Sequence, residues 1–448
     1  MQRIAVIGSG ISGLAAAAHL ARTQTSHRIC LLEGGSHFGG HANTVDLRLN
    51  GITHGVDTGF LVFNHRTYPL LTQLFQDLQV DTVASDMSFS VQVPAANGAS
   101  ALEWSGRSLR SVFAQKRNLL RPRFWGMLRD IVRFNQLTTE IAERQAEAEM
   151  TASIAAFLDQ HRFSAAFRSD YLLPMLGCIW SCPTDQMLHF PIATMIRFCH
   201  NHGLIQVRDR PQWYSVRGGS RQYVRRLLAR LTQDGRHEAR LNTPVLGLQR
   251  HPQGVMVQMA QGAEWFDAVV LACHSDQALQ LLGDGATAAE RAVLGSIRYQ
   301  PNEAVLHTDS SVLPQRQAAW AAWNYERAAA SSTEQAGVCL HYLINQLQPL
   351  PWQQPVLVSL NPARPIAADQ VHARIQYSHP VFDQAAILAQ RQLPQLQGQL
   401  STWYCGAWCG YGFHEDGLRS GLAAAESLCQ SLAGAAPAVQ APVLEEAA

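Results

Sequence analysis

The stretch Arg3-Ile4-Ala5-Val6-Ile7-Gly8-Ser9-Gly10-Ile11-Ser12-Gly13-Leu14 decides the fold of this chain. Its first five residues form a short, mainly apolar and β-branched run that is typical of a buried parallel strand. The alanine-rich run that follows predicts a helix. Between them, Gly8 allows a tight turn, Gly10 lets the backbone approach a pyrophosphate, and Gly13 lets helix and strand pack closely. The predicted cofactor contacts of this turn are Gly8, Gly10, Ile11, Ser12 and Gly13.

A second strand and a second glycine cluster extend this dinucleotide motif. The strand from Arg28 to Leu32 ends in Glu33, where an acidic side chain can accept hydrogen bonds from the hydroxyls of an adenosine ribose. The same acid would repel a 2′-phosphate, which disfavours NADP. Gly39-Gly40-His41 then supplies another backbone approach without a Cβ atom. This cluster resembles the second glycine pair of the flavin-containing amine oxidase superfamily, although that superfamily usually has Arg at the position of His41.

The composition describes a large globular chain. Its 448 residues are too many for one ordinary core, and the balance of 47% hydrophobic and 15% charged residues excludes a disordered protein. A net charge of +1 argues against a nucleic-acid-binding surface. Nine cysteines, without the pattern of a signal peptide, lead us to expect a cytoplasmic protein with ordinary thiols and no metal site. No run of about twenty apolar residues suits a membrane span.

The order of the predicted elements divides the chain into two interleaved domains. Residues 1–84, 205–274 and 397–434 carry the glycine turn and the buried strands, and we assign them to a Rossmann-like α/β domain for the cofactor. Residues 85–204 and 275–396 have no nucleotide signature and are assigned to an α+β substrate-binding domain. A tail of residues 435–448 is expected to be flexible.

Local signals place several elements within these domains. Turns at Asn50-Gly51 and Gln261-Gly262 predict β-hairpins. Arg240 to Val245 predicts a strand, Cys409 to Asp416 a loop, and Gly417 to Leu432 a helix. A helix that is reached through glycines offers its N-terminus to a phosphate or to the charge of a reduced flavin, and Asp416 could be its N-cap.

Further cofactor contacts follow from the resemblance to the amine oxidase superfamily. The comparable segment of that superfamily brings backbone close to the flavin ring, which implies contacts from Asp57, Thr58, Gly59 and Phe60. The likeness also implies that Val245 lies beside the adenine. In the last segment the implied contacts are Gly406, Gly412, Phe413, Asp416 and Gly417. FAD is therefore the expected cofactor, and we expect it to be bound non-covalently.

Five longer motifs resemble a narrower group, the FAD oxidoreductases related to the N-terminal half of plant cyclopropane fatty acid synthases. These motifs are Gly39 to Val45, Asp57 to Asn64, Ser85 to Ser90, Ile179 to Pro183 and Gly410 to Gly417. The likeness runs from Met1 to about Leu432, and bacterial members stand alone. It implies redox chemistry on a lipid acyl chain, and a methyltransferase similar to cyclopropane fatty acid synthase as a partner.

The same glycine-flanked loop offers candidates for proton transfer. His414 titrates near neutrality, and the carboxylate of Glu415 would do so in an apolar pocket, so either could serve as acid or base during hydride transfer. His414 could equally form only a hydrogen bond to the flavin or the loop. Aromatic residues that could line an apolar channel are Trp180, Trp213, Trp403, Trp408 and Tyr411.

Three functions remain in competition at this point. The first is an FAD oxidoreductase that acts on a lipid or another apolar substrate, and the second is an amine or porphyrinogen oxidase. The third is a non-catalytic flavoprotein that supports a lipid methyltransferase. Amine oxidases of the superfamily commonly place a lysine near the flavin, whereas Lys116 is the only lysine here and is remote in sequence from every flavin motif.

Residues 107–134 suggest how such a protein could meet a lipid. Eight Arg or Lys side chains alternate there with large apolar ones, and Asp130 is the only acid. This pattern suits an anionic bilayer surface, with Phe124 and Trp125 inserted among the lipids. The alternative is a solvated helix face over the core. The first interpretation would place the protein in the cytoplasm, attached peripherally to the inner face of the membrane.

Overall fold

The computed structural model describes residues 2–23, 27–95, 101–181, 184–205, 210–327 and 338–434. The predicted tail and the end of the motif from Ile179 to Pro183 lie outside these ranges. The strands are β1 (Gln2–Ile7), β2 (His27–Leu32), β3 (Thr44–Leu49), β4 (Ile52–Asp57), β5 (Phe63–Asn64), β6 (Thr82–Ser85), β7 (Phe89–Val93), β8 (Leu102–Ser105), β9 (Trp213–Val216), β10 (Glu238–Arg240), β11 (Val245–His251), β12 (Gly254–Met259), β13 (Gly262–Phe266), β14 (Ala268–Leu271), β15 (Arg298–His307), β16 (Trp323–Glu326), β17 (Cys339–Leu343), β18 (Leu357–Leu360), β19 (Val371–Val381) and β20 (Thr402–Tyr404).

Helices cover the sheets and fill the long insertion between β8 and β9. They are α1 (Ile11–Thr23), α2 (Pro69–Asp77), α3 (Leu109–Val112), α4 (Pro122–Glu143), α5 (Ile154–Gln160), α6 (Ala165–Phe167), α7 (Leu173–Trp180), α8 (Thr184–Met187), α9 (Ile192–Asn201), α10 (Arg221–Thr232), α11 (Ser275–Leu282), α12 (Ala288–Gly295), α13 (Ile344–Leu347), α14 (Gln384–Gln392) and α15 (His414–Leu432). Within the described ranges, no helix is long and apolar enough to cross a membrane.

A parallel five-stranded sheet in the order β10-β2-β1-β14-β20 forms the centre of the fold. Both faces of β1 are buried, because Ile4 and Val6 join the apolar cluster of α1, whereas Ala5 and Ile7 join the cluster of β12. This explains the continuous apolar run of the strand. The arrangement confirms the predicted Rossmann-like α/β fold.

A seven-stranded sheet in the order β19-β15-β18-β17-β16-β7-β8 forms the second part of the molecule. Its neighbouring strands are antiparallel except for β16 and β7, which run parallel. Strands from both predicted substrate segments meet in it, because β7 and β8 come from the first segment and the other five from the second. The domain boundaries themselves stay predictions.

Both predicted hairpins are confirmed, whereas one predicted strand differs from expectation. The β3–β4 pair turns at Asn50-Gly51, where both residues have positive φ, and β12 pairs with β13 across the second turn. The predicted strand from Arg240 to Val245 is wrong. β10 ends at Arg240 because Asn242 adopts a left-handed conformation, and the chain pairs again only from Val245.

Candidate active site

A cavity of about 760 Å³ runs from the glycine turn to the start of α15. It opens at the carboxyl ends of β1 and β2, which is where open parallel sheets place their ligands. Its volume lies within the range of small-molecule and cofactor sites. The predicted residues that line it are Gly8, Gly10, Ile11, Ser12, Glu33, Gly39, Gly40, His41, Gly59, Phe60, Val245, Gly406, Gly412, Phe413 and His414.

The three glycines of the first turn have three different surroundings. Gly8 has a φ of +104°, and a Cβ atom there would lie 2.7 Å from the carbonyl oxygen of Ala272. A Cβ atom on Gly13 would lie 1.9 Å from the oxygen of Gly8, so Gly13 packs the helix and does not line the cavity. A Cβ atom on Gly10 would meet no atom within 4 Å. Gly10 therefore offers bare backbone to the cavity.

Glu33 is held rigidly at one end of the cavity. Its carboxylate accepts hydrogen bonds from the backbone N–H of Ser9 at 3.0 Å and of Gly35 at 2.7 Å, and from the Ser9 hydroxyl. Among the described lining residues, Glu33 is the only Asp, Glu, Lys or Arg. Its unused lone pairs can accept hydrogen bonds from ribose hydroxyls, as its sequence position predicts.

The second glycine cluster lies directly on the first. A Cβ atom on Gly40 would come within 3.2 Å of the Cα atom of Gly10, so the two turns pack closely at Gly40. The His41 ring stacks on Tyr377 with 4.7 Å between centroids, and its buried Nε2 has no hydrogen-bond partner in the described part of the chain. Burial, reinforced by neighbouring histidines, lowers the pKa of His41 well below its usual value. Its imidazole is therefore neutral near pH 7.

Asp57 and Thr58 do not line the cavity, so the lining does not support their predicted cofactor contacts. The buried Asp57 carboxylate accepts hydrogen bonds from the backbone N–H of Ser220, the hydroxyls of Ser220 and Thr44, and the amide of Gln348. Thr58 donates its hydroxyl to the carbonyl of Asn43 at 3.0 Å. These side chains fix the loop from behind, and of its four predicted contacts Gly59 and Phe60 are the two that reach the cavity.

The C-terminal helix begins at His414, three residues earlier than predicted. Asp416 therefore lies within its first turn, where its carboxylate accepts a hydrogen bond from the Phe413 N–H at 3.0 Å. Gly417 packs against α1, because a Cβ atom there would lie 2.7 Å from a methyl carbon of Ile11. Neither Asp416 nor Gly417 lines the cavity, so the lining does not support these two predicted cofactor contacts.

Glu415 points away from the cavity and holds the start of α2. Its two carboxylate oxygens accept hydrogen bonds from the backbone N–H groups of Leu70 and Leu71, each at 3.0 Å. Burial raises the pKa of this carboxyl, against these hydrogen bonds. This position gives no support to its predicted catalytic role, which stays a prediction. The carboxylate supplies acceptors for the free donors of a helix N-terminus.

His414 does reach the cavity, but as a weak base. Its ring stacks on Phe60 with 3.7 Å between centroids, and its Nε2 lies 3.1 Å from the Tyr223 hydroxyl oxygen. Burial lowers the pKa of His414 to about 3. The imidazole is therefore neutral and disfavours taking up a proton near pH 7. Of the two roles open to it, the geometry favours a hydrogen bond that fixes Phe60 and the loop.

Apolar and aromatic side chains line much of the rest of the cavity. They include Leu61, Val62, Met87, Ile179, Phe198, Leu204, Trp213, Trp323, Trp408 and Tyr342. Of the five aromatic residues predicted for a channel, Trp213 and Trp408 are among these, whereas Trp180, Trp403 and Tyr411 are not. This wall can hold an apolar molecule and keep water out.

Three histidines of the cavity were missed from the sequence, namely His202, His274 and His379. His274 stacks on Tyr299 with 4.4 Å between ring centroids, and His379 lies 5.3 Å from the His41 ring. A signal for His274 did exist, because it follows the buried strand β14 at the carboxyl edge of the sheet. His379 lies on β19 of the other sheet, and no local motif connects it with the cavity.

The fold and the cavity together define a protein that binds a dinucleotide cofactor at the carboxyl edge of a parallel sheet. The chain belongs to the family of flavin-containing amine oxidoreductases, whose family model matches residues 11–339. It is accordingly an FAD-dependent oxidoreductase. The narrower resemblance to the flavoprotein half of plant cyclopropane fatty acid synthases stays a prediction.

Solved structures of low sequence identity share the fold over almost the whole chain. A protein described as a protoporphyrinogen oxidase from Exiguobacterium sp. 255-15 is 18% identical with a TM-score of 0.66, over 95% of this chain and 98% of that one. Cyclohexylamine oxidase from Brevibacterium oxydans IH-35A is 16% identical (TM-score 0.64, 96% and 99%). A CLA-producing fatty acid isomerase from P. acnes is 15% identical (TM-score 0.65, 94% and 97%). Among curated proteins, none matches the sequence.

The residues of the cavity fit FAD. Gly10 leaves room for a pyrophosphate beside the start of α1. The Glu33 carboxylate, which is fixed by backbone hydrogen bonds, could accept hydrogen bonds from the hydroxyls of a ribose. The unpartnered Nε2 of His41 is a buried polar atom for which a cofactor would supply a partner. Gly40, Gly59 and Phe60 would hold the remainder of the group.

Proposed function

We propose that the enzyme oxidises an apolar substrate, namely an unsaturated or methylated acyl chain of a lipid. The observation that carries this proposal is the cavity wall, in which apolar and aromatic side chains continue from the cofactor end without an Asp, Lys or Arg among the described lining residues. FAD, when bound, supplies the acceptor for a hydride. The wall of the chain itself would orient the acyl chain and exclude water.

Amine oxidation receives no support from the residues of the cavity. Lys116 is the only lysine, and it is exposed in the insertion between β8 and β9. The solved structures with this fold include both amine oxidases and a fatty acid isomerase, so the fold itself is compatible with a lipid.

Anaerobic reduction of the bound flavin tests the proposal and separates its alternatives. Phospholipid vesicles with unsaturated or methyl-branched acyl chains should bleach the visible absorbance of the flavin, whereas saturated vesicles and common mono- or polyamines should not. Bleaching by amines would favour an amine oxidase. A flavin that no lipid, amine or porphyrinogen reduces would favour a non-catalytic flavoprotein.

A surface on the insertion would bring the enzyme to its substrate. Five of the nine large apolar side chains that are exposed in the described part of the chain lie between residues 109 and 132. They are Leu109, Leu119, Leu120, Trp125 and Val132. Leu109 and Leu120 are 80% and 87% exposed. A helix face that only covers the core would not need leucines on its solvent side, so this exposure favours an interaction surface. We call these five residues, together with the exposed Arg110, Lys116, Arg117 and Arg129, the insertion surface.

The insertion surface carries positive charge that the fold does not neutralise. Among the described residues, no carboxylate lies within ion-pair distance of Arg110, Lys116 or Arg129, whereas Arg123 pairs with Asp170 at 2.9 Å. Phe124 is only 4% exposed and packs inside, which corrects its predicted insertion into lipid. Exposed leucines among unpaired cations support a peripheral position on the inner face of the membrane.

The predicted partner fits the same proposal. A methyltransferase that resembles cyclopropane fatty acid synthase would produce methylated acyl chains in the bilayer, where this enzyme would find them. Binding of the purified proteins to each other, compared with their independent binding to vesicles, would distinguish a complex from a shared membrane.

A further inference from the structure

We propose that His379 is a hydrogen-bond donor of the active-site cavity, fixed as the neutral Nε2–H form by a relay of two asparagines, and that it takes an uncharged acceptor. Such an acceptor is a carbonyl oxygen or a ring nitrogen, and it could belong to the flavin or to an ester of the substrate. The assignment of the proton is independent of the proposed lipid chemistry.

The relay starts at a donor whose identity is certain. The backbone N–H of Glu303 can only donate, and it donates to Oδ1 of Asn361 at 2.9 Å. The other end of the Asn361 amide is therefore its NH2 group, which donates to the carbonyl of Val338 at 3.2 Å and to Oδ1 of Asn302 at 2.6 Å.

The orientation of Asn302 then follows in the same way. Since its oxygen accepts from Asn361, its NH2 group faces the opposite side, where it donates to the carbonyl of Gln300 at 3.0 Å. A carbonyl cannot donate, so this contact fixes the orientation a second time. The remaining hydrogen of the Asn302 amide points at Nδ1 of His379, 2.8 Å away.

His379 must consequently accept through Nδ1. A neutral imidazole carries one proton, and with Nδ1 as the acceptor that proton resides on Nε2. Burial lowers the pKa of His379 to about 4, so the ring is neutral near pH 7. Within the described chain Nε2 has no protein hydrogen-bond partner, and His379 lines the cavity together with Ser378 and Pro380.

The surroundings determine which acceptor this donor suits. His379 lies 5.3 Å from the His41 ring, and His274 adds another imidazole to the same wall. Burial lowers the pKa of His41 and of His274 as well, so this wall carries donors and acceptors without positive charge. A carboxylate or phosphate would leave its charge uncompensated here, whereas a carbonyl oxygen or ring nitrogen would not.

The proton position can be measured in the wild-type enzyme. Holoenzyme with ¹⁵N-labelled histidine should show one imidazole whose two nitrogen signals are lost in His379→Gln. We expect those signals to report an acceptor Nδ1 and a protonated Nε2 between pH 6 and pH 8. A proton on Nδ1, or a charged ring, would overturn the proposal without bearing on the substrate.

Two substitutions at the same position test the donor itself. Glutamine can place an amide N–H near the position of Nε2, whereas leucine has no donor. His379→Leu should therefore shift the absorbance spectrum of the oxidised flavin if the acceptor is on the ring. If instead the acceptor is on the substrate, His379→Leu should weaken binding of methyl oleate about tenfold. His379→Gln should stay close to wild type in either case.

These measurements distinguish an acceptor on the flavin, an acceptor on the substrate and the absence of any acceptor. A spectral shift without any ligand assigns the acceptor to the flavin, and a change confined to ester binding assigns it to the substrate. If His379→Leu and His379→Gln match the wild type in both measurements, the donor has no ligand and the proposal is overturned.

Discussion

Reversal of charge on the insertion surface should release the enzyme from anionic membranes. The variant is Arg110→Glu, Lys116→Glu and Arg129→Glu, three exposed positions outside the ion pairs of the described fold. Each cation near an anionic surface contributes about 1 kcal/mol, and reversal replaces this attraction with a similar repulsion. Three reversals then cost about 6 kcal/mol, or roughly four orders of magnitude in binding.

The apolar part of the surface predicts a second, smaller effect. Full burial of a leucine side chain stabilises by about 1.5 to 3 kcal/mol, and Leu120 exposes most of its side chain. Leu120→Ser should therefore weaken binding to anionic vesicles by about one to two orders of magnitude. Unlike the charge reversal, this loss should change little as salt screens the surface.

Sedimentation with vesicles measures both effects against a matched control. The control reverses Arg22, Arg48 and Arg391, three exposed cations outside the insertion, and so changes the net charge by the same six units. Wild type and control should sediment with anionic vesicles at low salt and less at high salt. Equal loss in both triple variants, or binding of wild type to neutral vesicles, would refute the insertion surface as the site of attachment.

Three further predictions concern the cofactor, the start of α2 and acid stability. Gly10→Val should fold yet lose FAD, because the added Cβ atom meets no protein atom but occupies the approach of the pyrophosphate. In the wild-type enzyme, flavin colour left in the protein pellet after heating would contradict non-covalent binding. Glu415→Gln should lower the free energy of unfolding by about 1 to 3 kcal/mol in denaturant titrations and leave the flavin spectrum unchanged. A changed flavin spectrum would instead support a role for Glu415 at the cofactor. Burial lowers the pKa of four histidines to about 3 or 4. Below pH 6.5 the unfolded chain therefore takes up protons that the native chain does not. As the pH falls, the free energy of unfolding should decrease by about 1.4 kcal/mol per pH unit for each of these histidines. These four are His202, His307, His379 and His414. Replacement of His202 with Gln should reduce the slope, measured by denaturation at pH 7 and pH 5, and an unchanged slope would contradict this account.

The central sheet could be predicted because its signals are local. The apolar run before Gly8 and the spacing of the glycines identify a strand, a turn and a helix within some twenty residues. Turn residues likewise predicted both hairpins. The start of α15 was missed because Asp416 suits an N-cap, whereas it lies in the first turn and accepts a hydrogen bond from the N–H of the true N-cap residue, Phe413.

The site was harder to predict because side-chain direction depends on distant parts of the chain. Asp57 lies two residues before the cavity residue Gly59, yet its carboxylate faces Ser220, more than 160 residues away. His379 reaches the cavity only through the pairing of β19 with β15. Glycines were assigned more reliably than polar residues, because what a glycine contributes at a cofactor site is backbone.

The Asp57 carboxylate has a consequence for how the molecule could be divided. It joins Thr44 and Ser220 of the cofactor-binding segments to Gln348 of the substrate-binding ones. An excised cofactor module would keep a buried carboxylate after losing one of its donors, a change that costs up to several kcal/mol. The two sheets should therefore unfold as one cooperative unit, and limited proteolysis should not yield a stable minimal flavodomain.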